Sequence, residues 1–170
     1  HLLTPVRSVH ADCFRIVCDA KRGCISSLVT YTRLVHDRWA ESGELVAISS
    51  DTSFYILKYN REMVDAYLAS GEPVDENEGI EDAFELLYEI GERVRTAVWM
   101  GDCFIYNNSE WRLNYCVGGE VTTIFHLDRP MYILGYMASQ NRLYLIDRDF
   151  AIISYTLLMS AIEFKTLVLR

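Results

Sequence analysis

Three groups of residues have types and spacings that could do chemistry. His10, Cys13, Cys18 and Cys24 bring three thiols and an imidazole together in "HADCFRIVCDAKRGC". Zinc takes such ligands in a tetrahedron. Zinc knuckles use C-x2-C to C-x4-C pairs, and the spacing here is looser, so ordinary strand cysteines are the favoured reading. Cys103, His126 and Asp128 could serve as nucleophile, base and orienter. However, Cys103 opens the apolar run "CFIY", where a free thiol is commonly buried. Asp128 stands before "RP", as a turn residue would, and nothing in the spacing joins it to the other two. The third group is Asp75, Glu76, Glu78, Glu81 and Asp82. Paired carboxylates can hold a cation or work as acid and base, but these lack the D-x-D-x-D-G spacing of a calcium loop. A solvated face is the first reading, and a strip for a basic partner is the second. These five are the chain's candidate partner-binding residues. The Gly118-Gly119 pair reads as a hairpin turn and not as part of a G-x-x-x-x-G-K phosphate loop. The expectation is therefore no catalytic set, no cofactor and no metal.

The acids belong to one local run. Residues 62–92 hold eleven acids and no base, while the rest of the 170-residue chain has 16 bases against 13 acids. The net charge of −8 and the pI near 5.0 are thus local in origin. They argue against nucleic acid as a partner, since phosphate binding needs a basic face. With 51% hydrophobic and 12% aromatic residues the chain reads as one globular domain with a real core. Its five cysteines, an odd number, fit reduced thiols in a cytosolic setting. The chain opens on His1, which reads as a fragment, and its first residues have no signal-peptide run. The uncharged stretch Phe150 to Ile162 is too short to span a bilayer.

Strand patterns position these residues. "ELVAISSDTSFYILKYN", "DCFIYNNSEWRLNYCVG" and "YILGYMASQNRLYLIDR" each read as an apolar strand, a short polar turn and a second aromatic-rich strand. "EVTTIFHLDRP" and "AIISYTL" add single strands. Ahead of them, "CFRIVCD" and "CISSLVTYTRLV" read as two strands around "AKRG". Self-similar hairpins at this spacing predict a β-propeller, whose unit is a four-stranded blade. Strand aromatics such as Tyr106, Trp111, Tyr132 and Tyr144 are expected to pack between blades. The acidic run lengthens the first hairpin interval, so it reads as a helical insertion between blades at about 61–92. Met63 and Tyr67, stopped by Gly71, predict a helix at about 61–71. Ile80, Ala83, Phe84, Leu87 and Ile90 predict a second at about 80–91, with this stripe buried and the carboxylates outward. "LLMSAIEFKTLVLR" is apolar nearly all round and predicts a helix opening a helical region at 158–170. The expected organisation is a mainly β, partial propeller over 1–157, followed by that helix.

From Trp39 onward the chain resembles the coatomer beta-prime family of the COPI vesicle coat, and the plant forms most. The resemblance rests on "WAESGELVAISSDTSFYILKYN", "GDCFIYNNSEWRLNYCVGGE", "VGGEVTTIFHLDRPMYILGY" and "RLYLIDRDFAIISYTLLMSAIEFKTLVLR". Residues 1–38 fall outside it, and the blades lack the Gly-His and Trp-Asp marks of regular WD repeats. The resemblance implies the end of a second WD-repeat propeller leading into an α-solenoid. It implies a structural coat subunit in Golgi-to-ER and intra-Golgi transport, without enzyme activity. The implied partners are the other coatomer subunits, notably alpha, with cargo tails read by a first propeller that is not in this chain. The implied location is the cytoplasm and the cytoplasmic face of Golgi and COPI vesicle membranes, reached through the coat. The alternative is a peptide-binding propeller of another cytosolic complex.

Overall fold

The computed structural model describes residues 34–73, 80 and 83–157, with side chains from Arg38 onward. Their order is β1 (Leu34–Trp39), β2 (Leu45–Ser50), β3 (Phe54–Tyr59), α1 (Arg61–Ser70), β4 (Phe84–Ile90), β5 (Val94–Met100), β6 (Cys103–Asn108), β7 (Arg112–Val117), β8 (Glu120–His126), β9 (Met131–Met137), β10 (Arg142–Asp147) and β11 (Ile152–Thr156). They form three antiparallel sheets, ordered β1-β2-β3-β4, β5-β6-β7-β8 and β9-β10-β11. Each strand pairs with the one that follows it within its sheet, so every sheet is a simple meander. The first strand of each sheet lies against the first strand of the next. This is a partial β-propeller with its sheets in chain order.

Period-2 alternation builds the interfaces between sheets. In β6, Phe104 and Tyr106 face the first sheet, in a core with Ala47, Phe54 and Ile56. The alternate residues Cys103 and Ile105 face the third sheet, in a core with Met131, Leu143 and Leu145. β6 is therefore buried along its whole length, as a strand covered on both faces must be. The three expected hairpins are present as β2–β3, β6–β7 and β9–β10.

The acidic run differs from expectation in two ways. Its first part is the predicted helix, α1, ended by Gly71 at φ 73°, whose N–H reaches the Leu68 carbonyl. A left-handed cap of this kind favours glycine. Its second part is not a helix. Phe84–Ile90 is strand β4, paired along β3 from Tyr59↔Phe84 to Phe54↔Ile90. The backbone ladder to β3 satisfies the peptide groups that a helix would have satisfied internally. The insertion also lies inside the first sheet, between β3 and β4, and not between blades. The chain leaves at Asn60 and returns at Ala83, whose carbonyl accepts the Asn60 N–H at 2.9 Å. Within the predicted stripe, Ile80 and Ala83 are buried while Phe84, Leu87 and Ile90 are half-buried. Val64 and Tyr67 pin α1 to Tyr59, Ile80 and Ala83.

β5 over "VRTAVWM" went unread in the sequence, and β1 was met only at Leu34 and Val35, the last two residues of the expected strand "CISSLVTYTRLV". The strands expected before Leu34 and the helix expected at 158–170 lie outside the described residues.

Gly119 tests the fit of the first sheet on the second. It sits in the β7–β8 turn at φ 80°, and a Cβ there would lie 2.5 Å from the Tyr88 ring of β4. Gly119→Ala should cost about 1–3 kcal/mol, from the left-handed backbone and the clash together. Urea unfolding measures it. Adding Tyr88→Ala should return only the part due to the clash, and an unchanged midpoint for Gly119→Ala alone would show that the ring moves aside freely.

Candidate interaction surface

Strand direction sorts the connections onto two ends. One end carries the sheet-to-sheet linkers, 91–93 and 127–130, with the turns after β2, β6 and β10. The other end carries the turns after the first and third strands, including the insertion. The linker end is the one built from polar chemistry.

Each second strand ends in a residue that caps the turn after it. Ser50 Oγ accepts the N–H of Thr52 and Ser53. Asn108 Oδ1 accepts those of Glu110 and Arg112, both at 3.0 Å. Asp147 Oδ1 accepts those of Asp149 and Ala151, both at 2.9 Å. Short side-chain acceptors favour such turns because they replace backbone acceptors locally.

The same residues hold the linkers. Glu92 precedes β5 by two residues, and its Oε2 accepts from Tyr106 Oη at 2.9 Å, Asn114 Nδ2 at 3.1 Å and Asn108 Nδ2 at 3.2 Å. Arg129 precedes β9 by two residues, and its Nε lies 3.1 Å from Asp147 Oδ2. The second latch therefore reverses the polarity of the first. Around Glu92 opens a cavity of about 270 Å³, lined by Gly91, Arg93, Asn108, Ser109, Glu110 and Arg112. Its two arginines already face acids, Arg93 to Asp51 at 3.7 Å and Arg112 to Glu110 at 2.9 Å. Burial pushes the Tyr106 hydroxyl well above the ordinary tyrosine range, the Asn114 side chain partly offsetting this and Glu92 adding to it. The hydroxyl therefore stays a donor to Glu92. Beside the cavity, Trp111 packs edge-on to Tyr132 of the third sheet at 5.5 Å, with the Arg95 guanidinium 5.0 Å from its ring.

The residues singled out in the sequence do not form this surface. Cys103 begins β6 at the far end, whereas His126 ends β8 at the linker end, opposite Arg112. The length of a six-residue strand, roughly 17–20 Å, keeps thiol and imidazole apart. Asp128 is exposed in the linker. Burial pushes the Cys103 thiol up to about 12, with Cys116 adding to the rise. Burial likewise pushes Cys116 up to about 11. The two thiols face different cores. Among the described residues, no three His, Cys, Asp or Glu side chains gather to hold a metal. His10, Cys13, Cys18 and Cys24 lie outside the described residues, as do Asp75, Glu76, Glu78, Glu81 and Asp82. Of the described acids in the run, Glu62, Asp65, Glu72, Glu85 and Glu89 are exposed, and Glu92 is half-buried in its latch. Sequence reading passed over Glu92, Asn107, Asn108, Asn114 and Asp147. The available signal was a polar residue closing an apolar strand, as in "FIYNN" and "LYLID".

Two measurements follow. Glu92→Ala strands three donors, two of them on the fully buried Tyr106 and the almost fully buried Asn114, and should cost about 1–3 kcal/mol in denaturant unfolding; an unchanged midpoint would remove the latch from the stabilising contacts. The thiols give a pH signature. Their folded pKa values lie above the ordinary 9.0, so the unfolded chain loses these protons first. The stability they contribute is intact below pH 9 and is lost as pH rises from there toward 11–12. Cys103→Ala with Cys116→Ala should flatten that alkaline decline, whereas a decline of the same steepness would assign it to other groups.

Residues 30–147 match the family described as COPA/B second beta-propeller. The chain is 74% identical over 132 residues to Coatomer subunit beta'-1 of Oryza sativa subsp. japonica. It is 57% identical over 135 residues to Coatomer subunit beta' of Homo sapiens. These alignments cover 78% and 79% of this chain but only 14% and 15% of the relatives. In fold it is similar to the Cps50 (Swd1) beta-propeller domain of Myceliophteria thermophila, with a TM-score of 0.51 at 11% identity, over 74% of this chain and 41% of that one.

Proposed function

The chain belongs to the COPA/B second beta-propeller family, and from that premise we propose that it works as part of a structural subunit of the COPI vesicle coat. The observation that carries this reading is the identity of 74% with a coatomer beta' subunit over 132 residues. The chain's role is a protein–protein scaffold in Golgi-to-ER and intra-Golgi transport. A scaffold needs rigid bodies and side surfaces, and buried latches between sheets supply rigidity. It acts without catalysis of its own. Its partners are other coatomer subunits, the alpha subunit foremost, and cargo tails engage a first propeller outside this chain. It works in the cytoplasm and on the cytoplasmic face of Golgi and COPI vesicle membranes, held there through the coat. No helix among the described residues is long and apolar enough to cross a membrane. The division into a propeller part, 1–157, and a helical start, 158–170, belongs to the same proposal.

Asp75, Glu76, Glu78, Glu81 and Asp82 are proposed as a strip for a basic partner surface, because eleven acids without a base occupy residues 62–92. One experiment tests both proposals. Full-length protein carrying a tag is recovered from cytosol, and the expected companions are coat subunits; recovery without any of them would overturn the coat reading. Replacing the five acids by Ser should leave thermal unfolding nearly unchanged, since exposed charges contribute little. It should reduce companion recovery at low salt, and the difference from the parent should shrink as salt rises. Equal recovery at every salt would remove the strip.

A further inference from the structure

Strand register sets two side chains at one height on the linker end. The Ile133 N–H of β9 donates to Thr96 Oγ1 of β5 at 2.8 Å. Arg95 and Tyr132 stand one residue earlier in those strands, at matching positions across the junction of the second and third sheets. Trp111 joins them from the β6–β7 turn. Its ring packs edge-on to Tyr132 at 5.5 Å, and the Arg95 guanidinium carbon lies 5.0 Å from its centre. Trp111 and Tyr132 are half-buried and Arg95 is exposed, so the three form an open patch.

The fold does not require a tryptophan at this turn. Trp111 has φ 60°, which bulky side chains avoid and glycine adopts freely. It is held there from both sides. Its N–H donates to the Asn108 carbonyl at 3.2 Å, and its carbonyl accepts the Leu127 N–H at 2.9 Å. The third residue after the cap is Ser53 in the first sheet and Phe150 in the third. Among the described residues, Trp111 alone carries a guanidinium over its ring. A strained aromatic kept at one such turn points to a use for that ring.

The charges around the patch define what would complete it. Arg93, Arg112 and Arg129 at the same end each face an acid, whereas Arg95 faces none among the described residues. Trp111 Nε1 and Tyr132 Oη likewise meet no acceptor among the described residues, while Trp99 Nε1 donates to the Arg38 carbonyl at 3.0 Å. Guanidinium and indole can only donate. The patch thus offers donors on three adjoining side chains and takes an acceptor. One uncompensated cation matches a singly charged carboxylate better than a phosphate dianion. A guanidinium stacked on an aromatic ring keeps its planar fork oriented for two parallel bonds to a carboxylate.

We propose that Arg95, Trp111 and Tyr132 form a recognition site for an Asp or Glu side chain presented by another polypeptide. The guanidinium takes the carboxylate, and the two rings cover the methylene stem. An open patch, unlike an enclosed pocket, suits a side chain carried in by a partner. The inference rests on these side chains and not on the coat reading.

The test uses the full-length protein and a fluorescently labelled poly-L-glutamate peptide blocked at both ends, with binding read by anisotropy. The parent should bind. Arg95→Gln should weaken binding at least about tenfold, the effect of losing a charge-assisted pair. It should melt with the parent, because the residue is exposed. Arg95→Lys keeps the charge without the fork and should recover only part of the loss. Arg148→Gln controls for charge in general. Arg148 is exposed in the β10–β11 turn and has no ion pair among the described residues, and its replacement should leave binding unchanged. No binding by the parent, or an equal loss in both glutamine variants, would overturn the proposal. Inorganic phosphate competing better than acetate at equal ionic strength would overturn it by giving the site to phosphate. Self-association of the parent that Arg95→Gln abolishes would overturn it by giving the patch to a second copy. Phenylglyoxal modification, mapped by mass spectrometry, is a second readout. The peptide should slow the reaction at Arg95 and not at Arg148, and an unchanged rate at Arg95 would refute the contact.

Discussion

An inner strand of a propeller has a hydrogen-bonded neighbour on only one side, and the rest of this structure follows from how that is managed. Buried backbone groups without partners cost as much as lost hydrogen bonds. Here side chains of the preceding sheet complete the following sheet's first strand. Asn107 Nδ2 donates to the Met131 carbonyl at 2.7 Å. Thr96 Oγ1 accepts the Ile133 N–H at 2.8 Å while itself donating to Asn107 Oδ1 at 2.6 Å. At the other junction the direction is reversed, with Trp99 Nε1 of the second sheet donating to the Arg38 carbonyl of β1 at 3.0 Å. These bonds fix the height of one sheet against the next, which apolar packing alone leaves adjustable. A polar residue with no exposure, Asn107, is tolerated because both ends of its amide are satisfied.

The linker end shows geometry repeating where sequence does not. Three different residue types, Ser50, Asn108 and Asp147, cap equivalent turns. Asn108 donates to an acid and Asp147 accepts from a base, so Glu92 and Arg129 serve one purpose with opposite charge. A search for identical residues at fixed spacing would miss this, because what repeats is a donor–acceptor match. It also accounts for the weak repeat signature in the chain.

Hairpins were legible because their alternation is clean and their turns are polar. β4 was not, and the reason is a bulge. Leu86 pairs with Leu57 while Tyr88 pairs with Ile56, leaving Leu87 as the extra residue. Leu57 belongs to the leading core of the first sheet and Ile56 to the core shared with the second. The bulge therefore turns β4 from one core to the other halfway along, with Phe84 on the first and Tyr88 and Ile90 on the second. Apolar residues at 80, 83, 84, 87 and 90 then imitate a helical stripe, although the strand is obeying period 2 on either side of a shift. α1 was legible because a left-handed glycine ends it. Glu92 was hidden in plain composition, since ten other acids of the run precede it in sequence and only the fold shows that it turns inward.

The same features set the latch residues apart from the groups of a catalytic site. A catalytic site keeps titratable groups unsatisfied and accessible so that substrate can complete them. Here the inward carboxyl of Glu92 is completed by three donors, the Asp147 carboxyl by two turn amides and Arg129, and the buried thiols are held protonated by desolvation. Among the described residues, these groups are committed to holding turns, linkers and sheets. One buried polar atom among the described residues lacks a partner, Asn114 Oδ1, while Phe150 of the third sheet is 83% exposed at positive φ. The polar groups between the second and third sheets thus serve to fix one sheet on the next.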